Sequence, residues 1–473
     1  MSRLVNVSNR VASPRKGMAV GGLAVGILQA MQARGGLWFG WSGQTTADTP
    51  ASKPSLTRRG DIQYATLDLQ VDEFALFYGG FCNSTLWPLC HYFLDTFRYS
   101  DEEFDAYLAV NRRLAESLRP LLQQDDVVWV HDYQLIPLGA RLRELGVSRP
   151  IGFFLHVPFP HIEALRALPV YAELMQSLLA YDLIGVQTHR DAESLRSAAI
   201  ELWGRGSIAT DGSLQHDGRR VDLGVFPIGV DVDGIQQHAV QSQTRDSVRR
   251  FGAGLRGRRC VIGVDRLDYS KGLVERFRAY ERFLLAYPQH MNKVTLIQIA
   301  PLSRAELRSY ADIRRQLEQA AGRTNGRLAD TDWTPIRYLN RNFPHEDLMG
   351  FLRYAHVGLV TPVRDGMNLV AKEYVAAQDP EDPGMLVLSS LAGAAVELTD
   401  ALIVNPNDIR GVAEAIQVAL TLPRAERCDR HQRLLATLRK SDIHAWHTRF
   451  LRRLESSART RTRADERGIG LTN

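Results

Sequence analysis

Short apolar runs rich in β-branched and aromatic residues recur along the chain. They are LVNVSN from Leu4, DVVWVHD from Asp126, IGFFLH from Ile151, YDLIGVQT from Tyr181, VFPIGV from Val225, CVIGVD from Cys260, KVTLIQIA from Lys293, HVGLVTP from His356, GMLVLSS from Gly384 and ALIVNP from Ala401. Between them lie segments whose apolar residues return every three or four positions, such as EFDAYLAVNRRLAESLRPLL and LSRAELRSYADIRRQLEQAAG. The runs are continuous rather than alternating, as in strands buried on both faces. Strand and helix in alternation predict parallel sheets covered by helices, an α/β fold. So many strands exceed one open sheet of ordinary size. A polar stretch near 232 to 257 interrupts the pattern before CVIGVD restarts it, which predicts two α/β domains with the boundary near 231. No internal repeat is visible.

In open parallel sheets, ligands bind beyond the carboxyl ends of the strands. The segments that follow the runs here are polar: SNR, HDYQLIP, HVPFP, DRLDYSKG, APLSR and TPVRDGMN. Six such loops split between two domains predict one interdomain cleft for a polar, anionic ligand. In VDRLDYSKGL, Arg266 and Lys271 precede a helix. Two cations beside a helix N-terminus suit a phosphate, since N–H groups and dipole favour negative charge there. The competing reading is a surface loop in which Asp268 neutralises Arg266. In VGGLAVGIL, Gly21 and Gly22 allow backbone N–H groups to approach a ligand, or simply form a tight turn before a core helix. Neither GxGxxG nor a Walker loop is present.

The stretch VTPVRDGMNLVAKEY hands a buried strand to a helix. Gly366 frees the backbone, and Met367 to Leu369 bring N–H groups to the helix start. Glu373, four residues past Leu369 on the same face, suits a sugar diol such as ribose, and Asp365 suits another sugar. Asp365 or Asn368 as a helix cap is the alternative. Capping alone does not explain why Arg364, Asp365, Gly366 and Asn368 crowd together. Arg10 and Arg304 follow strands in different halves and could converge on a second anion, or be ordinary surface arginines. Trp87 could offer a sugar a flat stacking wall, or be a core tryptophan. His156, directly after a strand, is structural or a ligand of sugar hydroxyls. No HExxH, GxSxG or cysteine–histidine metal pattern appears.

Composition narrows the class. With 473 residues, 45% hydrophobic and 23% charged, the chain can fill two or more cores. The net charge of +5 sits partly in RTRTRADER near the C-terminus, read as a solvated tail. No nucleic-acid motif accompanies it, so neither nucleic acid nor membrane is expected as a partner. A mildly basic cleft suits phosphorylated small molecules. Cys82, Cys90, Cys260 and Cys428 lack metal-ligand spacing and read as buried thiols in a reducing cytoplasm. The opening MSRLVNVSNR has no apolar stretch of a signal peptide, and no run nears the ~18 residues of a membrane span.

The segments VSNR, GGLAVG, LWFGWSG, LWP, HDYQLIPLGARLR, GFFLHVPFP, DRLDYSKGL, RDGMNLVAKEYVAAQ and ALIVNP closely resemble those of the trehalose-6-phosphate synthases, retaining glucosyltransferases of the GT-B architecture. The resemblance runs from about residue 4 to about residue 455. It implies two Rossmann-like domains facing a central cleft: an acceptor domain over 1–231, a nucleotide-sugar domain over 232–445, a C-terminal helix near 446–460 crossing back, and a flexible tail over 461–473. It implies transfer of glucose from UDP-glucose to carbon 1 of glucose 6-phosphate, without metal or other cofactor, by front-face attack within a closed cleft.

By motif, Arg266 and Lys271 would hold the donor diphosphate, Gly21 and Gly22 would approach the donor, and Phe343 would sit at the uracil. Asn368, Leu369, Val370, Ala371, Lys372 and Glu373 would bind diphosphate and ribose, and Asp365 and His156 the transferred glucose. Arg266, Lys271, Asp365 and His156 would be the catalytic set. Arg10, Tyr78, Trp87, Asp132 and Arg304 would bind glucose 6-phosphate. The family's YNxFSN reads YGGFCN here, with Gly79 and Cys82 in place of the usual residues. Family members form dimers or tetramers, so a homo-oligomer is implied. UDP is the family's donor nucleotide, and ADP and GDP are the alternatives. The rival readings are another GT-B sugar-nucleotide transferase and a catalytically silent sugar-phosphate sensor.

Overall fold

The computed structural model describes residues 2–11, 22–48, 53–302 and 308–469. The chain divides into two compact units. One takes the residues up to Pro227 and resumes at Ile443; the other spans Ile228–Asp442.

The first unit holds β1 (Leu4–Arg10), β2 (Gly36–Thr46), β3 (Ser55–Arg59), β4 (Ile62–Gln70), β5 (Val127–His131), β6 (Ile151–Phe154), β7 (Leu183–Val186), β8 (Leu214–His216) and β9 (Arg219–Val225). They form one sheet in the order β3-β4-β2-β1-β5-β6-β7-β9-β8. Its interior pairs are parallel, and β3 and β8 close the edges antiparallel. Strand order reverses at β1, between β2 and β5, so the switch point of this sheet opens beside the ends of β1 and β5. Leu4, Val5 and Val7 are fully buried, as a central strand covered on both faces requires. The register of β1 on β2 shifts between Ser8 and Arg10. A bulge of this kind re-aims the last side chain, and the Arg10 guanidinium lies 5.8 Å from the centre of the Trp41 ring.

The helix Ile443–Ile469 belongs to this first unit. Its Phe450 stacks on Trp129 of β5 at 4.4 Å and 12°. Glycines make the room: a Cβ on Gly152 would meet Leu454 and Phe450 at 2.8–2.9 Å, and one on Gly185 would meet Phe154 and Phe450 at 2.7 Å.

The second unit holds β10 (Arg259–Val264), β11 (Val294–Ile299), β12 (Ile336–Leu339), β13 (Val357–Val360), β14 (Met385–Ser389) and β15 (Leu402–Val404), all parallel, in the order β12-β11-β10-β13-β14-β15. Its core packs Val261, Leu296, Val357 and Val387 of the strands against Phe277, Tyr280, Phe283, Leu317 and Ile416 of the helices. Here the switch point lies between β10 and β13.

Several expectations change. The polar stretch near 232 to 257 is no linker but two helices, Val232–Gln241 and Asp246–Leu255. Val232, Ile235 and Ala239 recur at helical spacing and are buried, a periodicity masked by the surrounding glutamines and arginines. The units divide at Pro227/Ile228, and the helix with which the first unit resumes starts at Ile443. The run VFPIGV is not a strand; β9 ends at Val225, where that run begins. The expected tail from 461 is helical to Ile469, in keeping with its arginines, alanine and glutamate, good helix formers. β2, β3, β4, β8 and β12 carry too many polar residues or glycines to stand out as apolar runs.

Gly185→Val should overpack the seat of Phe450 and lower stability by about 1–3 kcal/mol in urea unfolding. Gly206→Ala, where a Cβ meets nothing within 4 Å, should stay within about 0.5 kcal/mol of the parent.

Candidate active site

At the end of β10 the chain makes a single tight turn, Tyr269–Lys271, before the helix Leu273–Ala286. Asp268 is buried and caps this turn, accepting from Ser270 N at 3.0 Å and from the Tyr310 hydroxyl at 2.9 Å. Gly272 follows at φ 62°, where a Cβ would meet Thr361 O at 2.5 Å, so the turn can lie directly on the end of β13. Val363 N donates to Ser270 O at 2.8 Å, joining the loop after β13 to the turn after β10. That join brings the Lys271 ammonium to Asp365 Oδ2 at 2.5 Å.

Asn368, at φ 76°, is the left-handed residue of the second loop, a conformation asparagine tolerates. Its oxygen accepts from Ala371 N at 3.1 Å and caps the helix Leu369–Ala377, while its amide nitrogen donates to Asp365 Oδ2 at 3.1 Å. Capping and pairing are therefore one construction: Asn368 closes the helix, and Asp365 is held between a lysine and the cap. The N–H groups of Leu369 and Val370 stand in the first turn, where no intrahelical acceptor exists.

Beneath this cluster lies Arg276, 1% exposed. It donates to Asp265, to Gln298 Oε1 at 2.8 Å, to Thr361 Oγ1 at 3.0 Å and to the Lys271 carbonyl at 3.3 Å. Burial pushes the Asp265 carboxyl above its ordinary value, against the pull of Arg276 and Lys271. Arg266 is exposed just after β10. Phe343 packs edge-on against Phe351 at 5.2 Å and lies under the Arg341 guanidinium, 4.5 Å from its ring centre. Glu373 is held by His345, whose Nε2 lies 3.7 Å from Glu373 Oε1. Burial disfavours charge on His345, but the neighbouring Glu373 carboxylate outweighs that and raises its pKa.

In the first unit, Arg10, Trp41 and Tyr78 gather at the end of β1, with the Trp41 and Tyr78 ring centres 5.9 Å apart. Tyr78 sits in a π-helical stretch, Phe74–Leu86. Asn83 donates to Tyr78 O at 2.6 Å and accepts from the Tyr133 hydroxyl at 2.9 Å, which braces that stretch. Gly79 and Cys82 are buried within it. Asp132 follows β5 at φ 78°, a conformation that costs a non-glycine about 1–3 kcal/mol. Two bonds hold it: its N–H donates to Phe154 O at 2.8 Å, and its Oδ1 accepts from His156 N at 3.1 Å. His156 is half-buried after β6, and its pKa is lowered to about 3 by burial.

Three of the expected site residues have partners within the fold. Lys372 is fully buried, and its ammonium binds Ile228 O at 2.7 Å and Glu397 at 2.5 Å, because its helix position shares the inward face with Ala371 and Val375. The Ala371 N–H is taken by the Asn368 cap. Trp87, 5% exposed, is a core side chain packed on His91 at 4.1 Å rather than an open stacking wall, since the short helix Trp87–Cys90 turns it inward. Gly21 and Arg304 lie outside the described residues, and Gly22 opens the helix Gly22–Arg34. Sequence reasoning missed Arg276, His345, Asn6 and His131. Asn6, polar inside one apolar strand, and His131, polar at the end of another, were the available signals. Among the described residues, no group of three or more His, Cys, Asp or Glu is placed to hold a metal ion, and no helix is long and apolar enough to cross a membrane.

Known proteins are similar to this chain in sequence and fold. The profile of Glycosyltransferase family 20 matches residues 8–456. A trehalose-6-phosphate synthase of Klebsiella pneumoniae is 49% identical over 456 residues, 96% of this chain and 95% of that protein. The crystal structure of a UDP-forming α,α-trehalose-phosphate synthase from Burkholderia xenovorans, in complex with glucose-6-phosphate, superposes with a TM-score of 0.93 at 47% identity, covering 96% of this chain and all of the other. A structure from E. coli bound with UDP-2-fluoro glucose gives 0.90 at 46% identity, covering 96% and 99% of the two chains. Two Rossmann-like units of this construction define a GT-B protein. The chain belongs to glycosyltransferase family 20.

The pH dependence of the His345–Glu373 pair follows from its sign. A histidine raised in the fold contributes stability that is fully present below its ordinary value of 6.5 and is lost as pH rises through its folded pKa. His345→Gln should therefore lower the urea midpoint most near pH 6 and least near about pH 9.

Proposed function

We propose that this chain transfers the glucosyl group of UDP-glucose to carbon 1 of glucose 6-phosphate with retention, giving α,α-trehalose 6-phosphate and UDP. The observation that carries the reading is the cluster at the β10/β13 switch point, where Lys271, Asp365, Asn368 and an open helix N-terminus meet. Relatives close in sequence and fold carry the same activity in their names, and two were solved with glucose-6-phosphate and UDP-2-fluoro glucose.

Arg266, Lys271 and the N–H groups of Leu369 and Val370 take the diphosphate. They are preorganised cations and dipoles at the place where negative charge grows as the bond to the anomeric carbon breaks. Glu373 takes the ribose hydroxyls, held in position by His345. The segment at Phe343 takes the base, uracil in this reading. Asp365 and His156 take the transferred glucose. Arg10, Tyr78, Asp132 and Arg304 take glucose 6-phosphate.

Retention by double displacement needs a carboxylate free to attack beneath the anomeric carbon. Asp365 Oδ2 is engaged by Lys271 and Asn368, which suits a hydroxyl acceptor better than a nucleophile. Front-face attack needs no such group, because the departing phosphate oxygen takes the acceptor's proton. The reading extends to a cytoplasmic homo-oligomer; the four cysteines are all free thiols, as a reducing compartment favours.

A coupled assay of UDP release tests the reaction. Release should require both UDP-glucose and glucose 6-phosphate; release independent of glucose 6-phosphate, or none, contradicts the proposal. Lys271→Ala or Arg266→Ala should lower kcat by at least ~10²-fold, the scale of losing a charge contact in the transition state. Arg304→Ala should raise the KM for glucose 6-phosphate while the KM for UDP-glucose stays near the parent value.

A further inference from the structure

One chain of buried contacts in the first unit has a direction. Met31, in the helix Gly22–Arg34, places its sulfur 2.7 Å from Asn6 Nδ2. Asn6 Oδ1 lies 3.0 Å from His131 Nε2, and His131 Nδ1 lies 3.1 Å from His156 Nε2. Met31, Asn6 and His131 are fully buried.

A thioether sulfur has no hydrogen to give. It takes an amide N–H and so turns the amide oxygen of Asn6 toward His131. That oxygen can only accept, so His131 Nε2 carries a proton. Both rings are neutral near pH 7: burial, and then the neighbouring His156, hold His131 well below the ordinary histidine value, and burial alone lowers His156 to about 3. A neutral imidazole has one N–H. His131 Nδ1 is therefore a bare acceptor, and His156 Nε2 must be the donor that meets it. The remaining atom, His156 Nδ1, keeps a lone pair and no proton. Other rings around the two histidines are those of Trp129, Phe154 and Trp446, whose packed faces offer no competing acceptor.

We propose that Met31, Asn6 and His131 are positioning residues that lock His156 as its Nε2–H tautomer, so that His156 meets substrate only as a hydrogen-bond acceptor, through Nδ1, for a sugar hydroxyl. This deepens, and rests on, the assignment of His156 to the transferred glucose. It makes His156 a specificity element. A hydroxyl can donate to Nδ1, whereas a fluorine or methoxy group at the same sugar position cannot, and a site built around one hydrogen bond discriminates sharply against its absence.

The test uses the full chain with nitrogen-15 in its histidines, His156 being identified by the signals lost in His156→Gln. Long-range proton–nitrogen correlations should show His156 with a protonated Nε2 and a bare Nδ1. A proton on Nδ1 overturns the proposal. Adding UDP-glucose without acceptor should shift the Nδ1 resonance toward the hydrogen-bonded range. An unmoved Nδ1 with the tautomer intact overturns the acceptor role, and with it the sugar contact of His156, while leaving the relay standing. Asn6→Leu should give a mixture of His156 tautomers and about tenfold lower kcat/KM, the effect of one hydrogen bond. A pure Nε2–H tautomer in that variant overturns the part given to Asn6. Should Asn6→Leu not fold, the spectrum of the parent protein decides.

Discussion

The second unit is organised around one buried cation. The Arg276 guanidinium reaches Asp265 beyond β10, Gln298 in β11, Thr361 beyond β13 and the carbonyl of Lys271. It thereby ties three neighbouring strands of a parallel sheet to the turn that carries the candidate phosphate ligand. Space for it comes from Gly263, where a Cβ would meet Arg276 Nη1 at 2.6 Å. A buried ion pair is a poor source of net stability, because desolvation offsets attraction. Its value here is geometric: planar, fixed donors define where each loop must leave the sheet.

Above that anchor, the cluster is paired within itself. Lys271 holds Asp365, and Asn368 holds both Asp365 and the start of its helix. An ammonium has three hydrogens, so Lys271 can keep Asp365 and still meet a phosphate oxygen. The same pairing fixes the Asp365 carboxylate beside the first turn of its helix. The first unit works by the opposite means. Its histidines are stripped of charge by burial among aromatic rings, and direction comes from a chain of single hydrogen bonds. Charge organises the cluster of the second unit, and neutral donors and acceptors organise the histidines of the first.

Much of this was legible in the chain because parallel sheets write themselves in apolar runs. β1, β5, β6, β7, β10, β11, β13, β14 and β15 each match such a run to within one residue, and Arg10, Asp132, His156, Arg266 and Asp365 stand at or just beyond strand ends, where ligands gather in folds of this kind. Strands that lie near an edge or carry glycines, such as β3, β8 and β12, do not show, because exposure removes the demand for apolar residues. The helices at 232–241 and 246–255 were hidden by polar outer faces. Lys372 and Trp87 were placed by motif at a ligand, yet which way a side chain turns depends on what packs against it.

The amino-acid order by itself determined the class of fold, the strand-end loops and the residue types that could meet a sugar nucleotide, since periodicity and turn chemistry are local. Only the tertiary structure decided which of those residues touch. Lys271 and Asp365 are far apart along the chain and 2.5 Å apart in space, joined because β10 and β13 are neighbours in the sheet. Met31, Asn6, His131 and His156 line up for the same reason, coming from a helix, two adjacent strands and the loop after a third. Strand order is a long-range outcome of burying both sheet faces, and no stretch of sequence records it.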